Sequence, residues 1–191
     1  MTTRSTVAFV SAALVLLAAG AAAASIAMYQ SNKDLALKSD EVVLGEIKAK
    51  TSFFDEKTNT PYTLTTVTVK EWVKGGAGEK EITVRQMGGK LGDKVMFVTG
   101  DARMDEGEEV VLFLKKGEGV RFLFAMAQAK FGVVRDAITG QKVIQREAKD
   151  LAVGEFNKDG KFEFVKAPQP VKPLLLKDFL SEIKDYIAGR K

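Results

Sequence analysis

Three groups of residues in this chain are of a type and spacing that could do chemistry. The first is aromatic. Phe53, Phe54 and Tyr62 flank the turn-like stretch Asp55-Glu56-Lys57-Thr58-Asn59-Thr60-Pro61, and Trp72, the single tryptophan, lies just before Lys74-Gly75. Aromatic rings at the rim of a β-barrel stack on sugars, peptides or bases. The same rings also serve to cover a barrel end, and Trp72 suits a core plug. These four are the candidate ligand-binding residues. The second group is acidic: Asp101, Asp105, Glu106, Glu108 and Glu109 surround Gly100 and Gly107. Carboxylates in a glycine-containing loop suit Ca²⁺, with Asp101, Asp105 and Glu106 as the candidate metal ligands. Their spacing is not that of an EF-hand loop, and a solvated acidic loop is the plainer use. The third is Gln86-Met87-Gly88-Gly89-Lys90-Leu91-Gly92, which has the look of a phosphate-cradling loop. It lacks both the Gly-x-x-x-x-Gly-Lys-Ser/Thr spacing and a helix start after it. It reads as a turn or bulge, where glycine takes a positive φ or admits a neighbouring strand closely.

Absent residue types exclude more than the present ones establish. The chain has no Cys and no His. That removes a thiolate nucleophile, a histidine base and every Cys/His zinc, haem or copper site, so no cofactor is implied. It also removes lipid attachment through a cysteine. Beyond the first 24 residues the only serines are Ser25, Ser31, Ser39, Ser52 and Ser181, none in a recognisable nucleophile setting. Two carboxylates can hydrolyse a glycosidic bond, so a carboxylate-dependent hydrolase is the enzymatic alternative. The expected function is not enzymatic: a binding or structural domain, with self-assembly into a surface layer by strand exchange as a third reading.

The N-terminus supplies the compartment. Arg4 is the only charge before the apolar run Val7 to Leu17, which passes into Ala18-Ala19-Gly20-Ala21-Ala22-Ala23-Ala24. A short positive start, an apolar stretch and small residues at the −3 and −1 positions make a secretory signal peptide over residues 1–24. Ala22 and Ala24 fit the cleavage rule, and Ser25 with Ala27 offers a second site. A retained membrane anchor is the other use of such a stretch. The alanine-rich tail, and the lack of a Lys/Arg cluster to stop transfer, argue for cleavage. The expectation is therefore an exported protein, periplasmic or extracellular, with no membrane insertion after the leader is cleaved. Its partner would be a protein or glycan of the cell envelope. The whole chain is 46% hydrophobic and 28% charged with a net charge of +4, and no run of five like charges gives it a nucleic-acid footprint. Cleavage leaves 167 residues, one domain able to bury a core without disulfides.

Residues 25–40 read as a lead-in and 41–167 as β. Tyr62 to Val73 is rich in β-branched residues, which suit a pleated surface and disfavour helix. In Lys80 to Arg85, alternation points Ile82 and Val84 to the core and Thr83 and Arg85 to water. Lys94 to Val98 follows as a further short strand. Val110 to Leu114 is apolar on both faces and predicts a central, covered strand. Val120 to Met126 follows as another strand. Asp136-Ala137-Ile138-Thr139-Gly140 predicts a hairpin, and Asn157-Lys158-Asp159-Gly160 a second one between Phe156 and Phe162. Pro168 to Pro173 makes an extended linker. Over 174–189, Leu176, Leu180, Ile183 and Ile187 recur at helical spacing, with Leu175, Phe179 and Tyr186 widening the stripe.

Val42-Val43-Leu44-Gly45-Glu46-Ile47, Tyr62-Thr63, Val67 to Gly75, Ile82-Thr83-Val84-Arg85 and Gly88-Gly89 resemble a group of small exported bacterial β-domain proteins. Gly107 to Leu114 and Ala127 to Phe131 extend the likeness over about residues 40–135. The front half is also similar to the netrin-like modules of tissue metalloproteinase inhibitors. There a valine-rich strand is followed by a long strand ending near a Lys-Gly turn. That resemblance implies a mainly β fold, an OB-like β-barrel with additional hairpins, here joined to one C-terminal amphipathic α-helix. The cysteines of that family are missing, the N-terminal one that carries inhibition among them, so no inhibitory role comes with it.

Overall fold

A computed structural model describes residues 26–146, 151–165 and 174–190. The expected leader over 1–24 and the proline-rich linker over 168–173 lie outside the described residues. The protein is mainly β with a C-terminal helix. Two fifteen-residue strands, β2 (Glu41–Asp55) and β3 (Thr60–Lys74), form one long antiparallel hairpin. On the far edge of β3 lies β4 (Glu81–Met87), and on the far edge of β2 lies β7 (Glu109–Lys116). Gly117 to Val120 turn the chain into β8 (Arg121–Leu123), which pairs antiparallel with β7 and parallel with β4. Five strands, β2, β3, β4, β8 and β7, are thus hydrogen-bonded neighbours around a closed ring. The sheet continues past β7 through β9 (Lys130–Arg135), β10 (Lys142–Arg146) and the two-residue β13 (Leu174–Leu175).

Alternating side chains give this sheet two cores. Val43, Ile47, Val67, Ile82, Val84, Val110, Leu112 and Leu114 fill the ring. Val42, Leu44, Val111 and Phe113 point the other way, toward two helices. All five residues from Val110 to Leu114 are fully buried, as an apolar run without alternation predicts. The helices are α1 (Asn32–Lys38) and α2 (Leu176–Ile187), the latter burying Leu176, Phe179, Leu180 and Ile183. Phe179 meets Phe131 and Phe113 with ring centroids 4.8 and 6.4 Å apart. Truncating a buried phenylalanine of this kind costs about 3–5 kcal/mol. Among the described residues no helix is long and apolar enough to cross a membrane.

The lead-in holds a short strand and a helix of its own. Helix α1 begins with a reciprocal cap: the Ser31 hydroxyl accepts from the Asp34 N–H at 3.1 Å and the Asp34 carboxylate accepts from the Ser31 N–H at 3.3 Å. It ends on Lys74, whose Nζ donates to the carbonyls of Ala36, Leu37 and Ser39 at 2.8, 2.9 and 2.6 Å. A cation there satisfies orphan carbonyls and opposes the negative helix end. Burial among them pulls the Lys74 amine below its ordinary value. Before α1, β1 (Ile26–Met28) joins a separate three-stranded sheet, parallel to β11 (Ala152–Phe156), which pairs antiparallel with β12 (Phe162–Val165).

Three boundaries differ from expectation. Leu174 and Leu175 are strand rather than helix, because they pair with Ile144 and Val143. Of Val120 to Met126 only Arg121–Leu123 is strand, after which the chain makes a 3₁₀ turn over Met126–Ala129. Lys94 to Val98 does not join the main sheet. It forms β6 (Lys94–Met96), paired with β5 (Gly89–Leu91), because Gly88 and Gly89 at φ 92° and 145° swing the chain out of β4.

Candidate ligand-binding face

The β2–β3 hairpin carries the aromatic group beyond the ring. Phe53 lies directly across from Tyr62, and their rings stack at 6.0 Å and 30°. On β4, Met87 is the neighbour of Tyr62 and Arg85 the neighbour of Leu64. Since side chains two apart share a face, Phe53, Tyr62, Leu64, Arg85 and Met87 form one outward-facing patch across three strands. Arg85 organises it. Its guanidinium carbon is 3.7 Å from the Tyr62 ring centroid and 5.9 Å from that of Phe53. Its Nη2 donates to Asp55 at 3.2 Å, while its Nε is buried without a hydrogen-bond partner among the described residues. Burial works to raise the Asp55 carboxyl. Hydrogen bonds from Lys57 and Thr58 and the charge of Arg85 outweigh that and hold it below the usual carboxylate range.

Behind the patch the strands are locked. The Ser52 and Thr63 hydroxyls share a hydrogen bond at 3.0 Å, and Thr63 donates to the Gly88 carbonyl at 2.8 Å. A side chain at Gly89 would collide with both hydroxyl residues, so the glycine pair serves backbone turning and close approach together. Gln86 Nε2 donates to the Ala102 carbonyl at 2.8 Å. Phe54 points away from the patch, half exposed at 49%.

No family model matches the chain, and no curated protein matches it.

The remaining candidates lie elsewhere. Trp72 is ten residues from Tyr62 along β3, roughly 33 Å of extended strand. It packs on the ring core, donates Nε1–H to the Glu79 carbonyl at 3.2 Å and fills the space beside Gly76. The acidic loop is drawn down by cations and backbone. Lys50 binds Asp105 through Nζ at 3.2 Å and Glu106 through its N–H at 3.0 Å. Glu108 accepts from the buried Lys130 at 2.8 Å, and Glu109 from Lys142 at 2.7 Å. Asp101 accepts from the Ala102 N–H at 2.8 Å, and burial raises its carboxyl. Among the described residues no three acidic side chains come together as metal ligands.

At the opposite end of the ring lies a cluster that the sequence did not disclose. Glu41, only 1% exposed, accepts from Arg121 Nε at 3.0 Å, and Glu79 accepts from Arg121 Nη2 at 2.6 Å. Lys116 Nζ stands 3.3 Å from the other Glu41 oxygen. Arg121, first of several donors, pushes the Glu79 carboxyl down to about 2. These groups wall an open pocket of about 290 Å³ with the glycine turn 117–119.

Proposed function

We propose that this protein is an exported, non-enzymatic binding domain whose ring is an OB-like barrel. Its ligand face is the outer surface of β3 and β4 with the β2–β3 tip. Counted along the ring from β2, neighbours run first, second, third, fifth, fourth, with the third and fifth strands parallel. That order supports the OB-like reading, and in such folds the face of the second and third strands takes extended chains. Those strands here are β3 and β4, the bearers of Tyr62 and Arg85.

The observation that carries the proposal is the guanidinium of Arg85 laid on Tyr62 and pinned by Asp55. A flat cation backed by an aromatic ring offers a stacking plane and a fixed positive charge in one place. That chemistry suits an extended envelope ligand with apolar faces and oxygen acceptors, a glycan or a peptide. The hydrolase reading finds less support. A glycosidase acid needs a raised carboxyl facing a second carboxylate, whereas Glu79, which shares Arg121 with Glu41, is held down at about 2, and Asp101, which burial raises, accepts from the Ala102 N–H.

The test is capture of envelope glycan and peptide material on immobilised full chain, followed by titration with the captured fraction. Tyr62→Ala and Arg85→Ala should each weaken binding tenfold or more, with melting lowered by no more than a few degrees. Binding untouched by both substitutions, or no capture by the unsubstituted chain, overturns the assignment.

A further inference from the structure

The pocket at the end of the ring away from the ligand face is built where three strands start or stop. Glu41 opens β2, Arg121 opens β8 and Lys116 ends β7. Two carboxylates share one guanidinium there: Arg121 gives Nε to Glu41 Oε2 at 3.0 Å and Nη2 to Glu79 Oε1 at 2.6 Å. The second Glu79 oxygen accepts from the Ala77 N–H at 3.0 Å, so Glu79 is served on both sides. Glu41 is not. Its side chain is 1% exposed, and its Oε1 has no hydrogen-bond partner among the described residues. A buried carboxylate oxygen without a donor is costly. Lys116 Nζ stands 3.3 Å from it, in charge contact without a hydrogen bond, on a side chain that is 60% exposed. Asp40, the neighbouring acid, is taken by Lys115 Nζ and by the Lys116 N–H, both at 3.0 Å.

We propose that this pocket is a binding site for a primary ammonium group on a short apolar chain, and that Lys116 is the internal stand-in such a ligand displaces. The first reason is charge. Two carboxylates against one guanidinium leave a single negative charge, and Lys116 supplies the balancing positive one. The second is the kind of group that is missing. Glu41 Oε1 lacks a donor, and an ammonium carries three N–H donors and no acceptor. An anionic ligand would set a further negative charge against Glu41 and Glu79 and leave that oxygen unserved. The third is exchange. An exposed lysine gives up rotamer freedom to hold one geometry, so a ligand ammonium that makes the hydrogen bond Lys116 does not make replaces it at little cost. The fourth is size. A pocket of about 290 Å³ lies at the small end of ligand cavities, with Val120 and Ala77 beside the carboxylates to meet a short hydrocarbon chain. The inference is independent of what binds at Tyr62.

The single tryptophan reports on this pocket, because Trp72 Nε1–H donates to the Glu79 carbonyl at 3.2 Å. The isotope-labelled full chain is titrated with n-butylammonium while its one indole N–H resonance is followed by NMR. A saturable shift is expected. Tetramethylammonium, a cation without N–H donors, and butyrate should each bind at least about tenfold more weakly. Lys116→Ala removes the internal competitor and should tighten n-butylammonium roughly three- to tenfold. A lysine that merely braces the strand end would leave binding unchanged or weaker. Glu41→Gln should abolish saturation. Should that buried substitution unfold the chain, the exposed Lys116→Ala still decides the matter. Nα-acetyl-lysine amide in the same titration separates the sources of the group: tighter binding than n-butylammonium assigns the site to a lysine of a peptide, equal binding to a free amine. No saturable shift in either chain, which would leave the pocket to water, overturns the proposal. So does tighter binding of butyrate than of n-butylammonium, or an affinity that Lys116→Ala does not raise. Tyr62→Ala should leave the titration as it is.

Discussion

The two aromatic surfaces use similar side chains and differ in what surrounds them. At the hairpin tip, Phe53 and Tyr62 ride on strands continuous with the ring, and Arg85 and Asp55 fix the polar groups at their edge. On the small sheet, Phe156, Phe162 and Phe164 pack edge to face on each other, and β1 is tied to Gln128. Fixed donors and acceptors discriminate among polar ligands, because a ligand that leaves them unpaired forfeits hydrogen bonds. A bare phenylalanine ladder distinguishes only by apolar area. The rim, more than the rings, separates a recognition surface from a bare apolar one.

Breaking the tie should have the largest effect. Gln128→Ala leaves the Met28 carbonyl and the Gln30 N–H without their partner, and each unmade buried hydrogen bond costs about 1–3 kcal/mol. Amide exchange in residues 26–30 and 152–156 should accelerate by roughly a hundredfold, since about 1.4 kcal/mol is tenfold, while Val67 in the ring stays slow. Uniform acceleration would mean that the small sheet is not a separate unit. Gly154→Ala acts next, forcing Phe162 off β11 at about 1–2 kcal/mol, within the usual range for overpacking. The melting temperature should fall by a few degrees, with ligand capture unaffected.

Arg85→Lys sharpens the other side of the comparison. It keeps the charge and loses the flat fork, at about 0.5–1 kcal/mol for a partly exposed cation–π contact. Titration should show a two- to five-fold loss, smaller than for Tyr62→Ala. The smallest effect near neutrality is that of pH. The Asp55 carboxyl sits below its ordinary value of 3.8, so its support for the tip is complete above that value and is lost as pH falls through the lower, folded value. Ligand capture should be flat from pH 7 to about 4 and weaken only below, and Asp55→Asn should remove that acid limb. No residue of the phenylalanine ladder titrates, so the ladder has no limb of its own.

Much of the fold was legible wherever one periodicity dominated. Val110 to Leu114 without alternation, the Asp136–Gly140 turn and the stripe from Leu176 to Ile187 all read directly. Helix α1 was also readable: Ser31 and Asp34 stand at cap spacing, but seven residues make too short a run for a stripe to show. Strand β1 has only three residues and pairs with a strand more than 120 residues away, so nothing local announces it. Ring closure was invisible for the same reason, since β8 is three residues long and meets β4 at a single position. Phe53 and Tyr62 were identifiable from their place around a turn. Arg85 was not, because which β4 residue reaches Tyr62 follows from the tertiary pairing of β3 with β4. Trp72 was grouped with the rim aromatics by type, whereas strand length places it at the other end of the ring.

The most direct test of the account is capture of envelope material by three immobilised full chains: unsubstituted, Tyr62→Ala, and Phe156→Ser with Phe164→Ser. The account predicts that the first and third retain the same glycan or peptide and the second does not. Equal retention by the Tyr62→Ala chain would contradict it.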